Sequence, residues 1–90
     1  MSVTRDIEIC NARGLHARAS ARFVETVERF AAEARVSRDG QTVSGDSIMG
    51  LLMLAASRGT TIHVQTEGPD ADALMEALQD LVSARFGEDS

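Results

Sequence analysis

The spacing of hydrophobic residues changes once in the first third of the chain, and the change predicts two elements. Val3, Ile7 and Ile9 alternate with mostly polar residues, which is the period of a half-buried strand. From residue 15 onward the apolar residues recur every three or four positions, so an amphipathic helix of about four turns is predicted. Its apolar stripe consists of Leu15, Ala19, Phe23, Val27 and Phe30.

The middle of the chain predicts a hairpin. Ala34 and Val36 share one face of a short run, and Val43 continues the same pattern beyond a turn. The turn is expected at Asp39-Gly40, because a tight connection needs positive φ at its centre and this pair adopts it readily. Two short strands joined at this pair are therefore expected.

The second half of the chain predicts a helix, a strand and a final helix. The first of these helices begins at Asp46 or Ser47, both good N-caps, and ends at Gly59. Ile62 and Val64 then alternate with polar residues, as in a half-buried strand. The final helix carries an apolar stripe formed by Ala71, Leu74, Met75, Leu78, Leu81 and Val82.

The resulting order of elements is strand, helix, strand, strand, helix, strand, helix (βαββαβα). Four strands with one apolar face each predict a sheet that helices cover on one side only. The expected fold is therefore α+β, an open-faced β-sandwich with an antiparallel or mixed sheet. Ninety residues suffice for one core, so a single domain spanning residues 1–90 is expected.

Composition and charge exclude several classes of function. The net charge of −5 and the absence of Trp and Tyr argue against nucleic-acid binding, which favours basic surfaces and aromatic platforms. No segment has the pattern of a signal peptide or a membrane span. The single cysteine, Cys10, excludes an internal disulfide and suits a reducing compartment, so a cytoplasmic location is expected.

The candidate chemistry centres on one of the two histidines. No metal site is expected, because the histidines, the cysteine and the carboxylates lack metal-ligand spacing. His63 lies on the polar side of a predicted strand and is interpreted as a surface residue. His16 stands at a predicted helix start, where unpaired N–H groups and the helix dipole stabilise an anion and favour a neutral imidazole. Since exposed histidines also occur at helix starts without a function, both interpretations stay open.

The neighbours of His16 favour a phosphoryl group attached to the ring. Gly14 allows a tight turn and a close approach to a ligand. Three arginines form a local positive patch in an otherwise acidic chain: Arg13, Arg18 and Arg22.

Residues 48–56, "IMGLLMLAA", contain no polar side chain. A short helix on one face of a sheet buries about half of its circumference, so some of these residues stay exposed. If Leu51, Leu54 and Ala55 face the core, the partly exposed residues are Ile48, Met49 and Leu52. Two interpretations remain: a core helix of unusual hydrophobicity, or a docking patch for a partner protein.

The segments "GLHARA" and "DSIMGLLMLAASRGTTI" together resemble the histidine-containing phosphocarrier (HPr) family of the bacterial phosphotransferase system, including its nitrogen branch, NPr. The resemblance covers essentially the whole chain and implies a four-stranded antiparallel sheet under three helices. It also implies that His16 accepts a phosphoryl group on Nδ1 from Enzyme I and passes it to an enzyme IIA, with Arg18 contacting the phosphate. A monomeric carrier without a cofactor, and not an enzyme, is expected.

The resemblance further implies a partner surface and a regulatory site. Enzyme I and IIA proteins are expected to bind where the histidine helix meets the second helix. Ser47 matches a serine that a dedicated HPr kinase/phosphorylase phosphorylates in many members, and a phosphate there would weaken partner binding. The expected partner-binding residues are Ala17, Ala19, Ser20, Ile48, Met49 and Leu52.

Two points in the sequence leave the subfamily open. Ala19 occupies the position of a family proline, which predicts a less rigid first helical turn. "LLML" and the terminal "FGED" resemble the nitrogen branch, whereas "SIMG" at 47–50 resembles serine-regulated carriers. The alternative to a sugar-uptake carrier is therefore an NPr-type regulatory carrier that acts mainly by binding partners.

Overall fold

The computed structural model describes all 90 residues, and its order of elements is the predicted one. The four strands and three helices alternate as βαββαβα, and a 3₁₀ turn follows the last helix at Arg85–Gly87. The strands are β1 (Ser2–Glu8), β2 (Glu33–Arg38), β3 (Gln41–Ser44) and β4 (Thr61–Glu67); the helices are α1 (Ala17–Glu28), α2 (Ile48–Met53) and α3 (Ala71–Ser83).

The strands form one sheet in the order β1-β4-β2-β3, and every neighbouring pair is antiparallel. The register places apolar residues opposite one another, with Ile7 facing Ile62 and Val36 facing both Val43 and Val64. Since strand side chains alternate between faces, this register gathers the apolar set on one face of the sheet. The prediction of an antiparallel open sheet is confirmed.

The core lies between that face and the helices. Each helix contributes fully buried side chains, such as Phe23 from α1, Leu51 from α2 and Leu78 from α3. Burying a side chain of this size stabilises the fold by about 1.5–3 kcal/mol. The opposite face of the sheet is uncovered, and there His63 is exposed and pairs with Asp6 at 2.7 Å from Nδ1 to Oδ1. None of the helices has the length and apolar character needed to span a membrane.

The second helix is shorter than predicted. It ends at Met53 instead of continuing to Gly59, and Leu54 is its C-cap. Ala55 adopts the left-handed region at φ 51°, which stops the helix although alanine is a good helix former. Ala55 is also exposed, so its predicted place in the core is wrong, and the buried residue is Ala56.

Contacts from outside α2 explain this early end. Arg38 Nη1 donates to the carbonyl oxygen of Leu54 at 3.0 Å, and Leu15 N donates to that of Ala56 at 2.9 Å. These donors satisfy carbonyl groups that a longer helix would have paired internally. Leu54 and Ala56 are then both buried, on the two sides of the exposed Ala55.

Candidate functional site

His16 is the N-cap of α1, where the sequence predicted a helix start. Its backbone is extended, with φ −76° and ψ −178°, and its carbonyl oxygen accepts from Ser20 N at 2.8 Å. Its side chain also caps the helix, because Nδ1 accepts from Arg18 N at 3.3 Å. One ring nitrogen therefore lies directly over the first turn of the helix.

The loop before His16 requires a glycine. Gly14 has φ +66°, and a Cβ built there would lie 2.4 Å from the Ala56 carbonyl oxygen and 2.8 Å from the Cα of Ser57. The next residue, Leu15, is buried and hydrogen-bonds to Ala56. The histidine loop is thus packed against the chain that leaves α2, and a side chain at position 14 would displace it.

The other ring nitrogen of His16 contacts a residue that the sequence did not suggest. His16 Nε2 lies 2.5 Å from Glu88 Oε2, and the two side chains are 20% and 19% exposed. Glu88 stands 72 positions away, in the terminal "FGED" segment that follows the last predicted helix. No local pattern around either residue indicates this pair.

The residues after α3 bring Glu88 to this position. We call residues 85–90 the C-terminal strap. Phe86 is fully buried, and Arg85, Phe86 and Gly87 all have positive φ between 55° and 79°. Glu88 N donates to the carbonyl oxygen of Arg85 at 2.9 Å, which closes the turn. Positive φ at a non-glycine costs about 1–2 kcal/mol, and the burial of Phe86 offsets it. The one sequence signal for the strap is this aromatic residue beyond the last helix.

Asn11 connects the strap to the histidine loop. It is fully buried, and its Nδ2 donates to the carbonyl oxygen of Gly14 at 2.9 Å and to Glu88 Oε1 at 3.1 Å. Its Oδ1 is buried without a partner. Both Glu88 carboxylate oxygens are therefore engaged, one by His16 and one by Asn11.

Electrostatics keep Glu88 ionised. Burial raises the pKa of Glu88, but the hydrogen bonds from His16 and Asn11 and the nearby charges of His16 and Arg13 lower it, and the net pKa lies below the usual 4.5. An ionised carboxylate only accepts hydrogen bonds, so the contact requires a hydrogen on Nε2 of His16. In a neutral ring the lone pair then belongs to Nδ1, the nitrogen over the helix start. This tautomer leaves Nδ1 as the ring nitrogen whose lone pair is able to attack an electrophile.

The helical turn that His16 caps contains unpaired donors. The N–H groups of Ala17 and Ala19 make no hydrogen bond within the chain, as expected in a first helical turn. Arg18 is exposed, and its guanidinium forms no ion pair with the rest of the protein. A dianion held at Nδ1 would therefore meet several free donors and a positive helix end.

The second candidate region is the start of α2. Ser47 is the N-cap, and its Oγ accepts from Gly50 N at 3.0 Å. Beside it the apolar side chains of Ile48 and Met49 are 39% and 68% exposed, while Leu52 is half-buried. The predicted exposed patch is present on this helix.

The structure changes the membership of the predicted partner surface. Ala19 and Ser20 are fully buried, so their side chains do not reach a partner, whereas Ala17 is exposed. Ala19 and Ser20 face inward because α1 packs against α2 and α3. Ser20 Oγ also donates a hydrogen bond to the carbonyl oxygen of Leu15. Met53 was missed, and it is 65% exposed because α2 ends there. We call the exposed apolar set Ile48, Met49, Leu52 and Met53 the candidate docking patch, or docking patch for short.

Known proteins match this chain over nearly its full length. The family model described as "PTS HPr component phosphorylation site" matches residues 3–84. The phosphocarrier protein HPr of Neisseria meningitidis serogroup A is 49% identical over 84 residues, covering 93% of this chain and 94% of that protein. The phosphocarrier protein NPr of Shewanella violacea is 41% identical over 86 residues, with 96% and 94% covered.

Solved structures agree with the fold. The crystal structure of HPr-C-His from Thermoanaerobacter tengcongensis has a TM-score of 0.89 at 40% identity and covers 100% of this chain and 99% of that one. The crystal structure of HPr from Bacillus anthracis has a TM-score of 0.86 at 40% identity, with 90% and 96% covered. The similarity therefore includes both the sheet and the loop that carries the histidine.

Proposed function

This chain belongs to the PTS HPr component family, and from that membership and the geometry at the start of α1 we propose that His16 relays a phosphoryl group between proteins. One observation carries the proposal: Glu88 Oε2 lies 2.5 Å from Nε2 of His16, while Nδ1 faces the helix start. The ring therefore offers one defined nucleophilic atom beside donors suited to a dianion. The role is that of a phosphocarrier.

The relay consists of two transfers at one atom. The Nδ1 lone pair attacks the phosphorus of phosphorylated Enzyme I, and the bond from phosphorus to the donor atom breaks, its electron pair returning to the donor. A nucleophile of an enzyme IIA then attacks the same phosphorus, and the N–P electron pair returns to Nδ1. The chain is charged and discharged in turn, so it acts as a carrier and not as a catalyst.

Phosphate support comes from the first turn of α1. Arg18 supplies a free guanidinium, and the N–H groups of Ala17 and Arg18 belong to the same first turn. Ala19, which replaces the family proline, keeps a third N–H that proline lacks. These groups stabilise the charge of the attached phosphoryl group.

The docking patch is the proposed surface for Enzyme I and IIA proteins, together with exposed Ala17. α1 packs against α2, so the helix that carries the patch is a direct neighbour of the helix that His16 caps. Methionine side chains adapt their shape to different partners, which suits a carrier that meets a donor and an acceptor in turn.

Ser47 is the proposed regulatory site, phosphorylated by an HPr kinase/phosphorylase. Its hydroxyl is half-buried and caps α2 next to the exposed Ile48 and Met49. A phosphate there would add charge at the border of the apolar patch and lower partner affinity without unfolding the helix.

A nitrogen-branch regulatory carrier is the second candidate. The 41% identity to an NPr favours it, while the higher identity to an HPr favours the sugar branch. The set of IIA proteins that accept phosphate from the charged chain distinguishes the two. In either case we propose that residues 1–90 act as one monomeric domain in the cytoplasm.

Labelling with Enzyme I and ³²P-phosphoenolpyruvate tests the carrier role. We expect acid-labile, base-stable label on the wild type and on His63→Ala, and none on His16→Ala. Addition of a IIA protein should then remove the label from the wild type. Label that persists on His16→Ala would refute the assignment of the acceptor.

A further inference from the structure

We propose that Glu88 is a positioning residue that keeps the proton of His16 on Nε2 throughout the phosphoryl relay. The inference rests on the proposed function of His16 and adds a residue from the far end of the chain to its machinery. The distance from Nε2 to Oε2 is 2.5 Å, and about four-fifths of each side chain is shielded from solvent. Such a contact fixes the tautomer and the orientation of an imidazole.

Hydrogen bonding and packing hold the Glu88 carboxylate in place beside His16. Its second oxygen accepts from the buried amide of Asn11 at 3.1 Å, and that amide also holds the Gly14 carbonyl at 2.9 Å. One residue before Glu88, the strap passes close to Arg22, since a Cβ at Gly87 would lie 3.0 Å from the guanidinium. Glu88 is therefore tied at two oxygens, and the fully buried Phe86 anchors the strap that carries it.

The same contact favours the charging step. A neutral imidazole has one N–H, and only the nitrogen without it can attack phosphorus. With the hydrogen held on Nε2 by Glu88, the lone pair of His16 stays on Nδ1. Without the carboxylate the two tautomers compete, and the one with a hydrogen on Nδ1 is unreactive at the proposed position.

The contact also favours the discharging step. A ring with a phosphoryl group on Nδ1 and a hydrogen on Nε2 carries a positive charge, which the Glu88 carboxylate neutralises. When the acceptor attacks, the N–P bond breaks, its electron pair returns to Nδ1, and His16 departs as neutral imidazole. No proton enters or leaves in this step. If Nε2 had lost its hydrogen, the leaving group would be an imidazolate anion, which departs far less readily.

Other charged groups near the ring do not replace Glu88. Arg13 stands in the loop before His16, and Arg18 and Arg22 belong to α1. All three are positively charged, so none can accept the hydrogen of Nε2. Asp89, the next residue of the strap, is exposed, and its carboxylate forms no ion pair. Glu88 is thus the carboxylate in contact with His16, and Asp89 provides a control of the same charge one position away.

The test compares Glu88→Gln with Asp89→Asn, both with His63→Gln so that His16 is the one histidine in the chain. The first measurement is the ¹⁵N shift of both ring nitrogens without phosphate. The second is the rate of phosphoryl loss to water and to a IIA protein between about pH 6 and about pH 9, after charging with Enzyme I or with phosphoramidate. Circular dichroism and thermal unfolding verify that both variants fold.

We expect a single tautomer with hydrogen on Nε2 in the Asp89→Asn control and a mixture in Glu88→Gln. The alkaline decline in phosphoryl loss should begin at lower pH in Glu88→Gln, since the protonated ring has lost its carboxylate. At the alkaline end the variant should transfer about three- to tenfold more slowly, the effect of one charge-assisted hydrogen bond. Near pH 6 the two rates should converge.

An unchanged tautomer and an unchanged pH profile in Glu88→Gln would overturn the proposal. A uniform loss of rate at every pH would also overturn it, because that pattern indicates a structural role alone. Failure of the carrier proposal looks different: the control would take no phosphoryl group from Enzyme I. The tautomer measurement would still decide the positioning role in that case.

Discussion

The starts of α1 and α2 use the same local device in two different surroundings. His16 caps α1 by accepting from Arg18 N at 3.3 Å, and Ser47 caps α2 by accepting from Gly50 N at 3.0 Å. Both residues have extended backbones, as N-caps do. The two helix starts therefore share one capping device, although His16 accepts from the second residue after it and Ser47 from the third.

The two caps differ in the groups that surround the capping side chain. The ring of His16 is largely shielded from solvent and contacts Glu88 of the strap through Nε2. The hydroxyl of Ser47 instead borders the apolar docking patch. A capping side chain therefore gains its chemistry from distant parts of the chain, because both residues make the same kind of local capping bond.

The first prediction concerns the replacement of each capping residue by alanine. His16→Ala should lose all incorporation of phosphate from phosphorylated Enzyme I, while Ser47→Ala should keep nearly all of it. Each variant should lose about 1 kcal/mol of unfolding free energy, the usual cost of removing an N-cap. Labelling and urea unfolding measure the two effects. Equal loss of labelling in both variants would break the distinction between the caps.

The second prediction concerns the loop that carries the first cap. Gly14→Ala should lower the unfolding free energy by more than about 2 kcal/mol, because it adds steric overlap to the strain of positive φ. Gly40→Ala is the matched control, with φ +82° and nothing within 4 Å of an added Cβ. Gly40→Ala should lower the unfolding free energy only by the cost of positive φ in alanine, about 1 kcal/mol. Denaturant unfolding that gives equal losses would contradict the packing of the histidine loop on Ala56.

The third prediction concerns the surroundings of the second cap. Met49→Glu should weaken binding to Enzyme I about tenfold or more, since a charge would be buried against an apolar contact. The fold should remain intact because Met49 is 68% exposed. Thr4→Glu, on the uncovered face of the sheet, introduces the same side chain away from the patch. Calorimetry that finds equal affinities for the two variants would place the docking surface elsewhere.

The smallest expected effect is the stability that the strap adds to the first cap. The pKa of Glu88 is lowered in the folded state, so its stabilising contribution is present above its ordinary pKa of 4.5 and is lost as pH falls through the lower folded value. Wild type should exceed Glu88→Gln by about 1 kcal/mol or less near neutral pH. The difference should vanish below the folded pKa. Urea midpoints over this range measure it, and a gap that widens in acid would contradict the sign.

The parts of the fold that the sequence predicted are those governed by local periodicity. Alternation of Ile62 and Val64 and the three-to-four spacing around Phe23 were sufficient for the strand and the helix, because one buried face imposes that spacing. The cap of α1 at His16 also followed from local signals. The open sheet followed from the prediction of four strands that each have one apolar face.

The end of α2 and the strap could not be predicted in this way. The helix stops because Arg38 and Leu15, both distant in sequence, satisfy the carbonyl groups of Leu54 and Ala56, which a longer helix would have paired internally. Glu88 reaches His16 across 72 positions through a turn that is closed by a hydrogen bond to Arg85 and anchored by the buried Phe86. Such contacts depend on tertiary structure, and no periodicity records them.

The most direct test of the account is to locate the phosphoryl group by NMR. The chain is labelled with ¹⁵N in its histidine rings, charged with Enzyme I and phosphoenolpyruvate, and examined for coupling between ³¹P and ring nitrogen. The account predicts one phosphorus, coupled to Nδ1 of His16, with the hydrogen retained on Nε2. A phosphoryl group on Nε2 of His16, or on His63, would contradict it.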